Sequence, residues 1–421
     1  MNKEDYQTKQ FDIVLEKFLN HIESLWTSLA IVLRTIEQTR QVAVTEHREF
    51  LNNSCELLEE NLYSIPTEHY RKNYQLRKAI NNSTTAIKII KRNFLVSLIS
   101  QFDTYTSDLI KTIFIVRPEI INTSEKQLTF AELSKFQSIE SAQEYIIEKE
   151  IETVLRESHT EQFKWFEKKL NVQLRKDLPI WETFIEITQR RNLFVHNDGK
   201  VSTQYLSVCK ENNVKLDEKI KIGSELSVGL KYFDQAFKCL FEIGVKLNQV
   251  LRRNLAPEEL GYADDSFLNI SFELIQNGQY ELAKVLYDFS DKYIKKYSSE
   301  DFRLRILLNR AQTYKWLNND EECKKIIQSV DWSATGDLFK LANNVLLDKF
   351  EDAAQVMLNI GDNPKVLDKV YYKDWPIFKM FILSDHFRKA YLEIYKVEFE
   401  IVEKKDACRQ RAVSRKRVCG S

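Results

Sequence analysis

Near the start of the chain, apolar residues are separated alternately by four and by three positions. The run comprises Phe11, Leu15, Phe18, Ile22, Leu25, Leu29, Val32 and Ile36. Such spacings bring side chains onto one face of an α-helix, and their regular alternation defines a heptad seam. The pattern therefore predicts one long helix, whose seam either packs within a helical bundle or forms a coiled coil between subunits.

The helical periodicity continues in several further segments. A second helical stretch is predicted at 46–63, and it should end before Pro66 because the residue that precedes a proline avoids the helical conformation. The Asn-Asn-Ser segment at 81–83 offers capping groups for a strongly apolar helix that runs to Arg117. The remaining helices of this part of the chain are predicted at 130–136, 138–171, 178–196 and 232–253.

Only one short segment alternates polar and apolar residues in the manner of a β-strand. It is KIKIGSELSV, at 219–228, and it predicts one small hairpin. The 421-residue chain contains 9 glycines and 6 prolines, far below their usual shares of roughly 7% and 5%. Because turns and irregular loops depend on these two residues, we predict an all-α protein.

The pattern changes after LAPEELGYADDS, at 255–266, which we interpret as a domain boundary. This segment contains a proline, a glycine and three helix-capping residues, Asp264, Asp265 and Ser266. Four similar segments follow it: GQYELAKVLY, NDEECKKIIQ, DKFEDAAQVM and HFRKAYLEIY. When these are aligned at Tyr280, Asp320, Phe350 and Phe387, the spacings are 40, 30 and 37 residues, close to the roughly 34 residues of a two-helix repeat.

The four segments share a small residue three positions after the alignment point. These residues are Ala283, Cys323, Ala353 and Ala390. In this respect the segments resemble tetratricopeptide repeats, but the full pattern of that repeat is absent, so a generic array of α-hairpins is the alternative. Since arrays of either kind bind peptides or stack on partners, we expect the repeats to contact a protein partner.

Charge and cysteine content restrict the cellular setting. Lys+Arg and Asp+Glu both number 62, so any site for a polyanion must be local. The six cysteines contain no C-x-x-C pair, which indicates a reducing compartment and argues against a zinc site. Since no apolar run approaches the roughly 20 residues of a membrane span, we expect a soluble, cytoplasmic protein.

Most signatures of catalysis are absent from the sequence. Its glycines form no phosphate-binding loop, and neither GxSxG nor HExxH occurs. Five histidines have no recurring catalytic neighbour, and we interpret them as structural or exposed: His21, His47, His69, His159 and His386. His196 is different, because QRRNLFVHNDGK places Arg191 five positions before it at the predicted end of a helix.

This pair resembles the motif of the HEPN superfamily, whose nucleases carry an arginine, then four to six residues, then a histidine. A polar residue often follows the arginine directly, as Asn192 does here. The likeness extends to LVSLISQFDTYTSDLI followed by Arg117-Pro118, to PIWETFIEITQRRNLFVHNDGKV and to YFDQAFKCLFEIG, so that it covers residues 84–255. It implies a helical bundle, RNA cleavage without a metal or cofactor, a homodimer with its active cleft between two bundles, and a role in defence or as a toxin.

RNA cleavage without a metal requires a base for the 2′-OH, an acid for the leaving 5′-oxygen and a cation near the phosphate. Histidine titrates near neutral pH, so we assign the proton transfers to His196. Arginine stays charged and can bond two phosphate oxygens, so Arg191 is expected to stabilise the transition state. Asn192 and Arg190, on the same helix, and Asp103, in the helix that resembles the second core HEPN helix, are predicted to support this pair.

The spacing of the pair sets a condition on this assignment. On an ideal helix, five residues correspond to a rotation of about 140°, so Arg191 and His196 can face one site only if the helix ends irregularly near Asn-Asp-Gly at 197–199. The alternative interpretation of His196 is a helix-terminal histidine, whose cationic form suits the negative end of the helix dipole.

Two basic runs could also contact RNA. HYRKNYQLRK, at 69–78, mixes aromatic and basic residues and could follow an RNA backbone, or it is a solvated amphipathic turn. The end of the chain, KKDACRQRAVSRKRVCGS, is abruptly basic. It predicts a disordered, solvated tail, with direct RNA contact and a non-native extension as the alternatives.

These patterns divide the chain into four regions: an N-terminal helical region (1–83), an HEPN-like bundle (84–255), a helical-repeat region (262–398) and a basic tail (399–421). The predicted function is that of a metal-independent, homodimeric endoribonuclease. The alternative is a non-catalytic adaptor, whose bundle dimerises and whose repeats bind protein. An adaptor has no need of Arg191 and His196, so their presence favours the enzyme.

Overall fold

A computed structural model of the chain describes residues 9–60, 62–123, 127–176 and 178–400. In these ranges nearly all regular structure is helical, and the one sheet is a two-stranded hairpin, so the predicted all-α class is confirmed. No helix in these ranges is long and apolar enough to cross a membrane. The chain forms two compact units, named here the bundle unit, up to Phe267, and the repeat unit, from Leu268. Beyond residue 400, the basic tail lies outside the described residues.

Two long antiparallel helices, joined by a short hairpin, begin the bundle unit. The elements are α1 (Gln10–Ser54), β1 (Glu56–Glu59), β2 (Leu62–Ser64) and α2 (Tyr70–Val116). His47 contacts Asn73 beside the hairpin at 2.8 Å, whereas Lys17 contacts Asp108 near the opposite end at 2.8 Å. The two helices therefore pair along most of their length.

The first half of the heptad seam packs inside the bundle. Its most buried members are Phe11, Leu15, Phe18, Ile22 and Leu29. The Phe18 ring stacks on Tyr105 of α2 at a centroid distance of 4.4 Å, and Trp26, one position after a seam residue, stacks on Phe237 at 5.1 Å. Burial within the chain, rather than contact with another subunit, therefore accounts for the seam over residues 11–29.

Two predictions for this region are wrong. The stretch at 46–63 is the end of α1 followed by the hairpin, and the segment 81–83 lies inside α2 instead of capping it. α2 continues through this segment because it packs along α1, and the Ser83 hydroxyl donates to the carbonyl of Ala79, one turn earlier, at 2.9 Å. This bond satisfies a polar side chain that would otherwise favour a helix end.

Six further helices complete the described part of the bundle unit. They are α3 (Phe130–Leu133), α4 (Ile139–Arg156), α5 (His159–Leu170), α6 (Trp181–His196), α7 (Thr203–Glu211) and α8 (Leu230–Leu255). The single helix predicted at 138–171 is thus two helices, because Ser158 caps α5 by accepting a bond from the Glu161 N–H. α8 packs against α1, α2 and α6. The Phe18 ring of α1 fills the space beside Gly244 of α8, where a Cβ would lie 2.5 Å from it.

The segment 219–228 forms a loop, so the hairpin predicted there is wrong. The loop packs on the turn that follows α6: the Val201 N–H donates to the Ser224 carbonyl, and the Leu226 N–H donates to the Gly199 carbonyl, each at 2.9 Å. Most of these bonds join the loop to that turn, and within the loop the Ser224 N–H donates to the Lys221 carbonyl in a tight turn at 2.9 Å, so no hairpin ladder forms. Only the isolated bridge between Lys200 and Glu225 is strand-like.

The repeat unit is an array of α-hairpins. Its helices, including the one in which the division between the units falls, are α9 (Leu260–Gln276), α10 (Tyr280–Tyr293), α11 (Glu300–Trp316), α12 (Asp320–Gln328), α13 (Asp337–Leu346), α14 (Phe350–Ile360), α15 (Tyr371–Asp374) and α16 (Asp385–Tyr395). Three of the four alignment residues are thus the first residues of helices. The capping role predicted for residues 264–266 is wrong, because α9 already begins at Leu260 and Asp264 is buried in it, paired with Arg253.

The first three hairpins share one kind of turn. A left-handed residue lies two positions before the second helix in each: Gly278, Asn318 and Asp348, with φ of 72°, 59° and 58°. The residue after it donates its N–H to a carbonyl five positions earlier, at 2.8 to 3.0 Å, as in a Schellman motif. The small residues of the repeat pattern are at most 2% exposed, so they mark where the helices of each hairpin pack most closely.

Candidate active site

The last two turns of α6 carry four of the five side chains predicted for the site. These are Arg190, Arg191, Asn192 and His196. The apolar face of the same helix is buried through Phe184, Ile185, Ile187 and Leu193. This packing fixes the rotation of α6, and the rotation in turn decides which neighbours the polar side chains meet.

Arg191 is held by the fifth predicted residue. Its Nη2 donates to Oδ2 of Asp103, on α2, at 2.7 Å. The other carboxylate oxygen of Asp103, Oδ1, lies 2.9 Å from Nε2 of His159, the first residue of α5. We name these three residues the Arg191–Asp103–His159 cluster. Their side chains are 20%, 32% and 8% exposed, in that order, so solvent reaches the arginine and the aspartate but hardly the histidine.

The cluster orients the Arg191 guanidinium without using all of its donors. Nη2 is bonded to Asp103, whereas the buried Nε has no partner among the described residues. The planar guanidinium carries five N–H donors, and a carboxylate bonded at one nitrogen leaves others for a second anion. Arg191 is therefore a fixed, partly exposed cation with the donors that a phosphate group requires.

His196 is the last residue of α6 and is exposed. Within the described part of the chain its ring has no hydrogen bond or ion pair. The helix stays regular up to this residue, and the irregular ending begins only at Asn197. The rotation of about 140° between Arg191 and His196 therefore remains, and one chain does not bring the two side chains to a common point.

The turn after His196 is fixed from α2 by Arg92. Its Nη1 donates to Oδ1 of Asp198 at 2.9 Å, and its guanidinium lies 5.1 Å from the centre of the Phe194 ring. Asp198 and Gly199 have positive φ angles of 47° and 76°. A Cβ at Gly199 would lie 2.9 Å from the Phe194 ring, so glycine is the residue that fits this left-handed, closely packed position.

Arg190 belongs to the interior of the bundle. Its Nε donates to Glu186 at 2.7 Å, its Nη1 donates to the Ser227 carbonyl at 3.0 Å, and its guanidinium lies 4.1 Å from the centre of the Tyr232 ring. The Tyr232 hydroxyl also donates to Glu186, and burial, followed by this carboxylate, raises the pKa of Tyr232 well above its ordinary value. With its guanidinium used in packing, Arg190 is not retained as a supporting residue at the phosphate.

Asn192 is half-buried, one turn before His196. It has no hydrogen bond to another described residue, so in one chain Asn192 does not bond to His196, which it was predicted to support. Elsewhere in the described ranges, no three His, Cys, Asp or Glu side chains are grouped so that they could hold a metal ion.

Comparisons of the chain with protein-family models, with curated proteins and with solved structures found no match. The chemistry must therefore be argued from the site itself. α6 offers an oriented arginine that can bind an anion and, at its end, an accessible imidazole, a side chain that can act as a general acid or base. These are two of the functions that RNA cleavage without a metal requires, and α6 carries no second histidine for the other proton transfer.

His159 and Arg92 are the two residues of this region that the sequence did not single out. Ser158 and Glu161 could have placed His159 in the first turn of a helix. No local pattern connects it with Asp103, 56 positions earlier, or connects Arg92 with Asp198, 106 positions later. His159 was interpreted as structural or exposed, and it is buried.

Proposed function

We propose that this chain is an endoribonuclease of the HEPN type that cleaves RNA without a metal ion. The resemblance around Arg191 and His196 suggests the reaction. One observation supports it most: α6 holds Arg191 against Asp103 and leaves His196 exposed, without a partner among the described residues. A role in defence or as a toxin rests on the resemblance and belongs to the same proposal.

In the proposed reaction, the 2′-oxygen of a ribose attacks the adjacent phosphorus while the bond between phosphorus and the 5′-oxygen breaks. One imidazole accepts the 2′-OH proton, and a protonated imidazole gives a proton to the leaving 5′-oxygen. The products are a 2′,3′-cyclic phosphate and a free 5′-hydroxyl. Arg191 stabilises the negative charge that gathers on the phosphate oxygens.

The proposed active unit is a symmetric homodimer. One chain offers one accessible histidine on α6, and Arg191 and His196 diverge by about 140° on that helix. A two-fold axis beside α6 would bring the His196 of one chain toward the Arg191 of the other, so that two imidazoles and two guanidinium groups surround one phosphate. This arrangement also explains how a chain with no net charge binds a polyanion.

The first experiment is digestion of total RNA by the purified protein in the presence of EDTA. Arg191→Ala and His196→Ala are each expected to reduce cleavage by at least about a hundredfold while the helical circular dichroism is kept. The matched control is His386→Ala, because His386 is an exposed histidine of the repeat unit. If chelation stops the reaction and magnesium restores it, the metal-free mechanism is wrong.

The shared site has its own test, in which the Arg191→Ala and His196→Ala proteins are mixed. In a mixed dimer the shared cleft should keep one His196 and one Arg191, contributed by different chains, and should recover part of the activity, whereas each variant alone, which lacks all copies of one residue, stays inactive. Dilution that separates the subunits should abolish cleavage by the wild-type protein. A protein that is monomeric in light scattering and still cuts RNA at full rate would contradict the shared site.

An adaptor function is the second candidate, and one observation favours it. The repeat unit has a groove of about 590 Å³ with apolar and polar lining. Its lining includes Leu268, Leu308 and Leu338, which hold the same position twelve residues before the second helix of their hairpins. If wild type and His196→Ala are equally unable to cut RNA, while a protein partner binds and its binding is lost on Leu338→Glu with the helical circular dichroism kept, the adaptor is the better proposal; Leu338 lines the groove and is half-buried.

A further inference from the structure

The first two thirds of α2 carry positive charge alone. Residues 70–102 contain seven Lys and Arg residues and no Asp or Glu: Arg71, Lys72, Arg77, Lys78, Lys88, Lys91 and Arg92. The hairpin before them is acidic, with exposed glutamates at 56, 59 and 60. The positive stretch therefore begins abruptly at the start of the helix, and its charge is local, as a chain without net charge requires.

Part of this charge lies on one face of α2 together with two exposed aromatic rings. Tyr70 and Tyr74 are 57% and 64% exposed. Arg77, Lys78 and Lys88 follow at helical spacing on the same side and are also exposed. Before the buried part of α2 begins, the half-buried apolar side chains at 76, 80 and 87 lie on another side of the helix, and α2 pairs with α1, so the basic and aromatic face is turned to solvent. We name these five residues the α2 track.

Several cations of this stretch are not neutralised. Arg71, Arg77, Lys78 and Lys91 have no carboxylate within 4.0 Å among the described residues, whereas Lys88 and Arg92 share Glu225. The Lys78 ammonium lies 5.9 Å from the centre of the Tyr74 ring, so a cation and an aromatic face already adjoin each other. An unpaired guanidinium or ammonium group can release counterions when it binds a phosphate.

The α2 track points to the candidate active site. From Tyr70 to Arg92 the helix rises by about 33 Å, at roughly 1.5 Å per residue, which matches about ten stacked nucleotides at roughly 3.4 Å each. Arg92, just past the end of the track, bonds to Asp198, two positions after His196. A strand that lies along the track would therefore reach the end of α6 that carries His196.

We propose that the α2 track binds single-stranded RNA and guides it to Arg191 and His196, an inference that rests on the proposed function. A positive groove with aromatic side chains on which bases stack is the general mode of binding for single strands. A duplex keeps its base faces stacked inside, so the two tyrosines favour an unpaired strand. A membrane surface fits less well, since the apolar side of α2 is covered by α1 and is not free to enter lipid.

The experiment measures binding by fluorescence anisotropy, with a labelled single-stranded RNA of about 20 nucleotides. The protein carries His196→Ala, so that the probe stays intact. Arg77→Gln with Lys78→Gln should weaken binding at least about tenfold and reduce the slope of log affinity against log salt by about 1.4, which is roughly 0.7 for each lost phosphate contact. Tyr70→Ala with Tyr74→Ala should weaken binding at least about fivefold with little change of slope.

The matched control is Lys111→Gln with Lys135→Gln. Both lysines are exposed, and Lys111 lies on α2 itself but beyond the positive stretch. The control should keep the affinity and the salt slope. Circular dichroism and molecular mass should be unchanged in all variants, because every substituted side chain is exposed. If the tyrosine variant changes the oligomeric state, read as the molecular mass in solution, α2 is a subunit contact and the proposal is overturned.

The outcomes separate this proposal from the proposed function. Unchanged RNA affinity in both track variants would overturn the proposal that the α2 track binds RNA, even if His196 proves essential for cleavage. Equal affinity for a duplex, or tighter binding to vesicles of anionic lipid than to RNA, would overturn it as well. Binding that depends on the track, in a wild-type protein that never cuts RNA, would support the track and contradict the nuclease.

Discussion

The bundle unit and the repeat unit bury different kinds of side chain. Among the described residues, every buried charged or histidine side chain belongs to the bundle unit: Arg92, Glu150, His159, Glu186, Glu242, Arg252 and Asp264. The buried polar residues of the repeat unit are uncharged, and its closest contacts use small residues such as Ala283 and Ala353, each with 0% exposure. The stability of the bundle unit therefore depends on the pairing of buried charges, and the stability of the repeat unit depends on small side chains where its helices meet.

This difference shows how each unit is specified. A buried charge is costly unless a partner and hydrogen bonds compensate it, and several of the partners in the bundle come from distant parts of the sequence. Arg252, for example, is paired with Asp12, 240 positions away. A small residue in a hairpin needs only its neighbouring helices. Substitutions should therefore be most harmful in the bundle where they leave a charge alone, and in the repeats where they add volume.

The largest effect is expected for Glu186→Ala. Glu186 accepts hydrogen bonds from Arg190, Tyr205 and Tyr232, so its removal leaves a buried guanidinium without its counter-charge. We expect the bundle unit to lose about 3–5 kcal/mol of stability. Hydrogen exchange read by mass spectrometry should show faster exchange in α6 and α8 and no change in α10 to α14. The control is Glu182→Ala, one turn earlier on the same helix; equal losses in the two variants would contradict the argument.

Asp103→Asn tests whether pairing also orients the site. The amide keeps the size of the side chain but cannot hold both Arg191 and His159 as a carboxylate does. Since a small misplacement of a catalytic group costs up to about a hundredfold, we expect RNA cleavage to fall by about ten- to a hundredfold with little loss of helix. Cleavage faster than that of wild type would mean instead that Asp103 competes with the phosphate for Arg191.

Ala353→Leu tests the dependence on size in the repeat unit. The added carbon atoms have no space between the helices of the third hairpin, and overpacking of this kind costs about 1–3 kcal/mol. Exchange should accelerate in α13 and α14 while the bundle unit is unaffected. Gln355→Leu, at an exposed position two residues later, is the control, and it should be nearly neutral. Equal exchange in both variants would show that the repeat tolerates volume at its closest contact.

The smallest losses of stability are expected at two glycines that have similar backbone φ angles but different packing around them. Gly199 and Gly278 have φ of 76° and 72°. A Cβ at Gly199 would meet Phe194 and Arg92, whereas a Cβ at Gly278 has nothing within 4 Å. Gly278→Ala should cost about 1 kcal/mol for its backbone alone, and Gly199→Ala should cost more, within about 1–3 kcal/mol, as measured in urea unfolding. A larger loss at Gly278 would reverse the comparison.

The sequence by itself determined the features that depend on neighbours along the chain. The scarcity of glycine and proline and the helical period predicted the all-α class. The aligned segments predicted where α10, α12 and α14 begin, and their small residues are buried. These features are local: a period of 3.6 residues and a turn of a few residues are complete within one hairpin.

Tertiary structure decided which polar side chains belong together. The predictions of α6, Arg191 and Asp103 came from the pattern and the resemblance, but the bond between Arg191 and Asp103 spans 88 positions and that between Asp103 and His159 spans 56. Nothing in the sequence around Arg190 distinguishes it from Arg191, yet one helix position turns Arg190 toward Glu186 and the interior. The reason is physical: a single residue rotates a helical side chain by about 100°, and the packing of α6 against the bundle decides which of the two arginines faces the candidate site.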